Sequence, residues 1–317
     1  MSLGSWQLHC VLCGDFGFHK RVTVGNNGGN TSTGTRGRLE GGRRLEVAER
    51  KPRSSAQPLV SVVTVVFNGA GHLGGAIDSV LAQTYPDLEY IIVDGGSTDG
   101  TIEVLRAYSH RVDYWLSEPD GGIYDAMNKG IRASSGTLVG ILNADDRYVP
   151  HAVEKAVRIL SDLKIGYCYG WMRLVDGEGR DCGLAKPLPR HLFGKRVLRE
   201  TPLPHPTMFV RRSVYETLGG FDSQLTLAGD FEFIARIHAA GVVGVEIPEV
   251  LAEFRLGGSS RNPEILREMR SVALRGGLSP FLAWKDWMLA RTVMAAKRVL
   301  PDAATGWLRA LKDLRRN

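Results

Sequence analysis

The stretch Ser117-Glu-Pro-Asp-Gly-Gly-Ile-Tyr-Asp-Ala-Met-Asn-Lys-Gly-Ile131, followed by Gly140-Ile-Leu-Asn-Ala-Asp-Asp146, decides how this chain is read. A glycine turn opens a short helix, an apolar strand runs from Leu138 to Leu142, and two carboxylates stand where that strand ends. An isolated Asp-Asp is an ordinary acidic turn. At the carboxyl end of a strand in an open α/β sheet, the same pair lies where ligands bind. Its oxygens suit a hard divalent cation that holds a diphosphate.

The surrounding sequence has the same grammar. Leu59-Val-Ser-Val-Val-Thr-Val-Val-Phe67 is a β-branched run long enough for a strand covered on both faces. Asn68 to Gly71 turns the chain, and His72 to Gln83 reads as a helix with Leu73, Ile77, Val80 and Leu81 on one face, ended by Pro86. A second strand, Leu88 to Val93, runs into Asp94-Gly-Gly-Ser-Thr-Asp-Gly-Thr101, where Ser97 or Thr98 is expected to cap the next helix. A strand over 111–115 and a helix over 125–133 continue the alternation. This is an α/β protein with a mainly parallel central sheet and helices on both faces. The second half reads differently. It comprises an amphipathic helix at 151–163, antiparallel strands around Gly177-Glu-Gly179, and an extended loop over 186–207 with five prolines. Helices at 213–218 and 231–240 and two strands, 242–247 and 250–256, complete it.

Charge divides the 317 residues into three parts. Residues 1–58 carry 9 Lys/Arg against 4 Asp/Glu, residues 59–260 carry 19 against 25, and residues 261–317 carry 12 against 5. An acidic core of net −6 thus lies between basic ends of +5 and +7, which argues against nucleic acid as a partner of the core. Gly25 to Arg53 is rich in Gly, Asn, Thr and Arg and poor in large apolar residues, so 1–58 is expected to be a disordered basic extension. Four cysteines do not make a disulfide framework in a chain of this length, and the Cys10–Cys13 pair lacks the second pair that a zinc site needs. A reducing cytoplasm is the simplest setting. No apolar run reaches the ~18–20 residues that span a bilayer.

In a parallel sheet, the ends of three strands converge on one edge. The first delivers Phe67 and Asn68, the second Asp94 with Ser97 close behind, and a later one Asn143, Asp145 and Asp146. Asp94 can accept from a nucleobase N–H or a ribose hydroxyl, while Asp145 and Asp146 would hold a metal on the phosphates. A net acidic core can bind a diphosphate if the cation supplies the missing charge.

These blocks, Ser61–Asp99, Glu118–Ile131 and Leu142–Asp146, resemble the family 2 glycosyltransferases of GT-A (nucleotide-diphospho-sugar transferase) fold, most of all the bacterial colanic-acid-type subgroup. The resemblance covers roughly residues 59–260. It implies inverting transfer of a sugar from a nucleotide-diphosphate sugar, with Mg²⁺ or Mn²⁺, to a hydroxyl acceptor. That acceptor would be a lipid-linked or polysaccharide precursor of bacterial envelope or exopolysaccharide. Carried over by position, Asp94 matches the base- or ribose-contacting acid, and Asp145 and Asp146 fall on the Asp-x-Asp motif, whose commoner first aspartate is here Asn143. That departure leaves open which aspartate is the principal ligand. Asn128 and Lys129 follow the glycine turn and are candidates to touch the diphosphate; an exposed helix lysine is the plainer reading of Lys129. Asp230 in Leu227-Ala-Gly-Asp230-Phe-Glu matches the second acidic motif and is the expected general base, with a helix N-cap as the alternative. His205, in Pro204-His-Pro-Thr-Met-Phe209, is placed on the acceptor side or in a solvent-facing loop, and Gly257-Gly-Ser-Ser260 in a flap or a plain loop.

Residues 261–317 form a basic amphipathic helical tail in which Trp284, Trp287 and Trp307 accompany Lys and Arg. The pattern suits peripheral contact with the inner face of the cell membrane, or packing onto the catalytic domain. Two rival functions remain. A nucleotidyltransferase would carry a basic loop after the first strand, where this chain has Phe67-Asn-Gly-Ala-Gly-His72. A catalytically weak sugar-nucleotide-binding module is motivated by Asn143.

Overall fold

The computed structural model describes residues 37–46, 57–257 and 262–299. The Cys10–Cys13 pair, most of the basic extension, Gly258–Ser260 and Trp307 lie outside the described residues. A short strand β1 (Leu39–Gly41) and turn of helix α1 (Arg43–Glu46) lead into the alternation: β2 (Val60–Val66), α2 (Ala70–Leu81), β3 (Leu88–Asp94), α3 (Thr101–Tyr108), β4 (Tyr114–Ser117), α4 (Ile123–Ala133) and β5 (Leu138–Asn143). Then follow β6 (Arg147–Tyr148), α5 (Ala152–Leu160), β7 (Tyr167–Val175), β8 (Asp181–Ala185), α6 (Arg190–Arg196), a 3₁₀ turn His205–Thr207, β9 (Phe209–Arg211), α7 (Arg212–Leu218), α8 (Gly229–Ala239), β10 (Gly244–Arg255), α9 (Ile265–Arg275) and α10 (Pro280–Val299).

One sheet takes up the strands in the order β1-β4-β3-β2-β5-β9-β7-β10-β6, with β8 pairing antiparallel to β7 off that path. β4, β3, β2 and β5 are parallel neighbours, and β7 and β10 run the same way beyond the reversed β9. All seven residues of β2 are buried because its two faces meet two separate cores. Val63 and Val65 pack with Tyr124, Met127 and Ile131 of α4 and with Phe231 and Ile234 of α8. Val60, Val62 and Val66 pack with Leu73 and Ile77 of α2 and with Val153 and Leu160 of α5. Burying a valine side chain contributes ~1.5–3 kcal/mol, so a β-branched run flanked by two helical layers is held firmly in register.

Four expectations change. The expected disorder does not hold at residues 37–46: β1 pairs antiparallel with β4, setting Leu39 opposite Ser117, and Arg44 forms an ion pair with the fully buried Glu89. The proline-rich 186–207 contains α6 and the 3₁₀ turn. The two late strands are one, β10, whose pairing with β7 shifts register between Glu246 and Val250, across Pro248, which has no N–H to donate to the ladder. The expected boundary at 260/261 is not a boundary of the core, since Val272 of α9 is buried in the same cluster as β2 and α8.

Candidate active site

The parallel strands end in loops that are tied to one another. Asn68 adopts a left-handed conformation (φ 50°), its N–H donates to Ser97 Oγ at 2.7 Å and its Oδ1 accepts from Thr98 N–H at 2.9 Å. Asp99 accepts from Ala70 N–H at 3.1 Å and from Thr101 Oγ1 at 2.6 Å. Asp99, not Ser97 or Thr98, therefore serves the start of α3. Phe67 stands at the rim with 68% of its surface exposed. A large apolar ring in that position is available for stacking against a flat ligand.

Asp94 has no exposed surface. Its Oδ2 accepts from Gly96 N–H (3.1 Å), Ser97 N–H (3.0 Å) and Ser117 Oγ (2.6 Å), while Ser97 Oγ donates to Oδ1. The carboxylate expected to meet a base or ribose is instead used to fold the 95–97 turn. The carboxylate that does face this region is Asp120, to which sequence reading gave no role. It lies against Gly95, where an added Cβ would come within 2.8 Å of Oδ2. Burial and the nearby Asp125 and Asp94 raise its pKa, against the pull of Gly122 N–H and Lys129. Locally Asp120 reads as a turn residue before two glycines; only the juxtaposition with the end of β3 marks it.

Asn128 and Lys129 are both corrected. The Asn128 amide clamps one residue, donating to Phe221 O at 2.9 Å and accepting Phe221 N–H at 2.8 Å. Lys129 is mostly buried, bound to Glu118 at 2.9 Å, to Asp125 at 3.5 Å and to Pro119 O at 3.2 Å. Neither reaches for a diphosphate as the loops stand, and Lys129 is not an exposed helix lysine either.

The two aspartates after β5 part company. Asp146 has no exposed surface, accepts Arg255 N–H at 3.3 Å and Asn143 Nδ2–H at 3.2 Å, and is held well above the ordinary carboxylate pKa by burial and by Asp145. Asp145 is half-buried and lies just beyond the end of β5. Asn143 Oδ1 is buried and has no partner among protein groups. Among the described residues, no three His, Cys, Asp or Glu side chains gather around one point. The donor set is thus one half-buried carboxylate, one fully buried carboxyl group and one unpartnered amide oxygen. Oxygen donors of this kind fit a hard cation that takes its remaining ligands from phosphate and water; Asp145, Asp146 and Asn143 Oδ1 are the groups that would hold it.

Asp230 lies in the first turn of α8 and is half-buried, and its Oδ1 accepts from Phe231 N–H at 2.8 Å and Tyr124 Oη–H at 3.3 Å. Gly229 beside it packs directly on the Tyr124 ring, where a Cβ would come within 2.8 Å. His205 is not a loop histidine in solvent. It is buried, stands edge-on to Phe221 with centroids 5.4 Å apart, and its pKa is lowered by burial against the opposing field of Asp230. Phe221 in turn stacks on Tyr124 at 5.7 Å. Asp230, Tyr124, Phe221 and His205 are therefore one contiguous group, floored by aromatic rings. The loop ahead of Asp230 is fixed by Glu268 of α9, which accepts the N–H groups of Leu227 (2.8 Å) and Ala228 (2.9 Å) and the Thr226 hydroxyl (2.6 Å). Sequence reading missed Glu268 because it lies in what looked like a tail.

Residues 61–219 match the model of the family described as "Glycosyl transferase family 2". An uncharacterized glycosyltransferase of Mycobacterium tuberculosis is 38% identical over 216 residues, covering 66% of this chain and 80% of the relative. A PGL/p-HBAD biosynthesis glycosyltransferase of Mycobacterium bovis is 29% identical over 186 residues, covering 57% and 70%. Among solved structures, the mannosyltransferase PcManGT from Pyrobaculum calidifontis, in complex with GDP-Man and Mn²⁺, superposes with a TM-score of 0.55 at 22% identity, covering 83% of this chain and 82% of that one. S. aureus TarS 1-349 in complex with UDP-GlcNAc gives 0.55 at 16% identity, covering 75% and 73%. The fold is that of the GT-A glycosyltransferases, and the chain belongs to glycosyl transferase family 2.

Proposed function

We propose that the protein is an inverting, divalent-cation-dependent transferase that moves a sugar from a nucleoside diphosphate sugar to a hydroxyl of a sugar or lipid-linked acceptor in envelope or exopolysaccharide synthesis. The observation that carries this reading is the cluster of oxygen acceptors at the end of β5: the half-buried Asp145, the buried Asp146 and the unpartnered Asn143 Oδ1. The solved neighbours bound to GDP-Man with Mn²⁺ and to UDP-GlcNAc support it. Asp145, with Asn143 Oδ1, would hold the cation, which when bound offsets the charge on the departing diphosphate. Phe67 offers a ring face to the base, and Asp120 a carboxylate beside it.

On the acceptor side, the acceptor oxygen attacks the anomeric carbon from the face opposite the diphosphate. A carbon–oxygen bond to the acceptor forms as the bond to the phosphate oxygen breaks, and that electron pair leaves with the nucleoside diphosphate. The acceptor proton passes to Asp230, whose two hydrogen bonds both fall on Oδ1 and so leave Oδ2 to receive it. The test is calorimetry with a panel of nucleotide sugars, with and without Mn²⁺, on wild type and Asp145→Ala. Wild type should bind one donor in a metal-stimulated way and the variant should lose that stimulation. Equal metal-stimulated binding by both would overturn the assignment, and turnover of the bound donor would set aside a weak binding module.

A further inference from the structure

α10 has two unlike faces. Its inner face carries Ala283 and Asp286, both buried; Trp287, half-buried at the edge of that face, has the guanidinium groups of Arg270 and Arg291 over its ring at 5.6 and 4.5 Å. Asp286 is bound by Arg199 through two hydrogen bonds of 2.7 and 3.0 Å. The outer face is open: Phe281 is 69% exposed, Trp284 49% and Met288 41%, at the one-turn and two-turn spacing of a single stripe. Lys285 and the exposed Arg291 flank that stripe. The one acidic residue of α10, Asp286, is turned inward and neutralised.

We propose that this outer face of α10 docks on an anionic bilayer surface, with Phe281, Trp284 and Met288 entering the headgroup region and Lys285 and Arg291 meeting the lipid phosphates. Aromatic and apolar side chains bordered by cations, with no exposed anion among them, match such a surface in both polarity and sign. Two copies meeting through this face would set one basic-bordered stripe against another, with no exposed acid on α10 to meet Lys285 and Arg291. A second copy of this chain is therefore the less fitting occupant. No helix among the described residues is long and apolar enough to cross a membrane, so the contact is peripheral. Residues 300–317 add 4 Lys/Arg against 2 Asp/Glu beyond the helix.

The full-length protein should float at low salt with phosphatidylglycerol-containing vesicles and not with pure phosphatidylcholine vesicles. Trp284→Glu and, separately, Phe281→Ser should lower vesicle affinity about tenfold or more, with melting temperature and donor turnover unchanged. Using two sites guards against one variant that misfolds. Vesicle binding that survives both substitutions, or its absence in the wild type, would overturn the proposal. So would a concentration-dependent dimer, seen by light scattering, that Trp284→Glu dissociates. Donor turnover in the same samples separates failure of docking from failure of the proposed reaction.

Discussion

Glu268 accepts the backbone N–H of Ala228 at 2.9 Å, which ties α9 to the residue immediately ahead of α8. Leu227 N–H and the Thr226 N–H and hydroxyl donate to the same carboxylate, so one side chain fixes three successive residues ahead of α8. Burial works against this charge, but those hydrogen bonds hold the carboxyl below its ordinary pKa. The position of Asp230 thus depends on a residue beyond the family-matching segment.

We expect Glu268→Ala to lower stability by ~1–3 kcal/mol, the cost of amides left unpaired, toward the low end because the site is half exposed. Turnover should fall while donor affinity holds, and Glu268→Gln should lie between. Thermal unfolding and a kcat-against-KM comparison read this. A chain ending at Arg261 loses Leu266, Val272 and Ala273 from the interior, so it should fold poorly. A truncated chain with the wild-type melting temperature would contradict the role given to α9.

Asp230→Asn keeps size and hydrogen bonding while removing the proton acceptor. We expect a loss of ~10²–10⁴-fold in kcat, the usual share of a general base, with donor affinity almost unchanged. A variant within a few-fold of wild type would show that another group takes the proton.

Asn128→Leu leaves the Phe221 N–H and C=O without their partner. We expect a stability loss of ~1–3 kcal/mol, a fall in turnover through the shifted Phe221–His205 contact, and donor affinity within a few-fold of wild type. Weakened donor binding in an otherwise stable variant would restore the diphosphate contact that the side chain's present partners rule out.

Glu89 has no exposed surface and accepts from Ser61 Oγ (2.5 Å), Ser135 N–H (2.7 Å) and Ser135 Oγ (2.6 Å), with Arg44 alongside. Burial opposes its charge, yet these partners hold its pKa below the ordinary 4.5. A depressed carboxyl pKa adds stability that is fully present above the unfolded value and is lost as pH falls through the folded one. We therefore expect stability to decline below about pH 4.5, and Glu89→Gln to be less stable at neutral pH with a shallower acid limb. Unfolding midpoints measured from pH 7 downward would decide it.

The architecture was legible where local pattern and tertiary context agree. The runs at 59–67 and 88–93 carry β-branched and aromatic residues on both faces, and both faces are indeed covered. Asp145 and Asp146 were legible as a strand end, but that Asp146 is the buried one, accepting the N–H of Arg255 more than one hundred residues later, was not. Asp94 and Asn128 were misread for a related reason: each has the chemistry to bind a ligand, and each is consumed by backbone groups, with two serine hydroxyls added at Asp94, that no spacing rule reveals. β1 was invisible because a three-residue strand draws its stability from its partner.

That strand has a practical corollary for handling the protein. β4 would be an open row of amide and carbonyl groups without β1, a template for adding strands from other molecules. β1 is short, and its Glu40 pairs with Arg38 just ahead of it, with Arg38 also 3.7 Å from Glu118 at the rim of the proposed donor loop. A recombinant chain trimmed to Pro58, just ahead of the family-like sequence, would keep every proposed site residue and still be prone to clump.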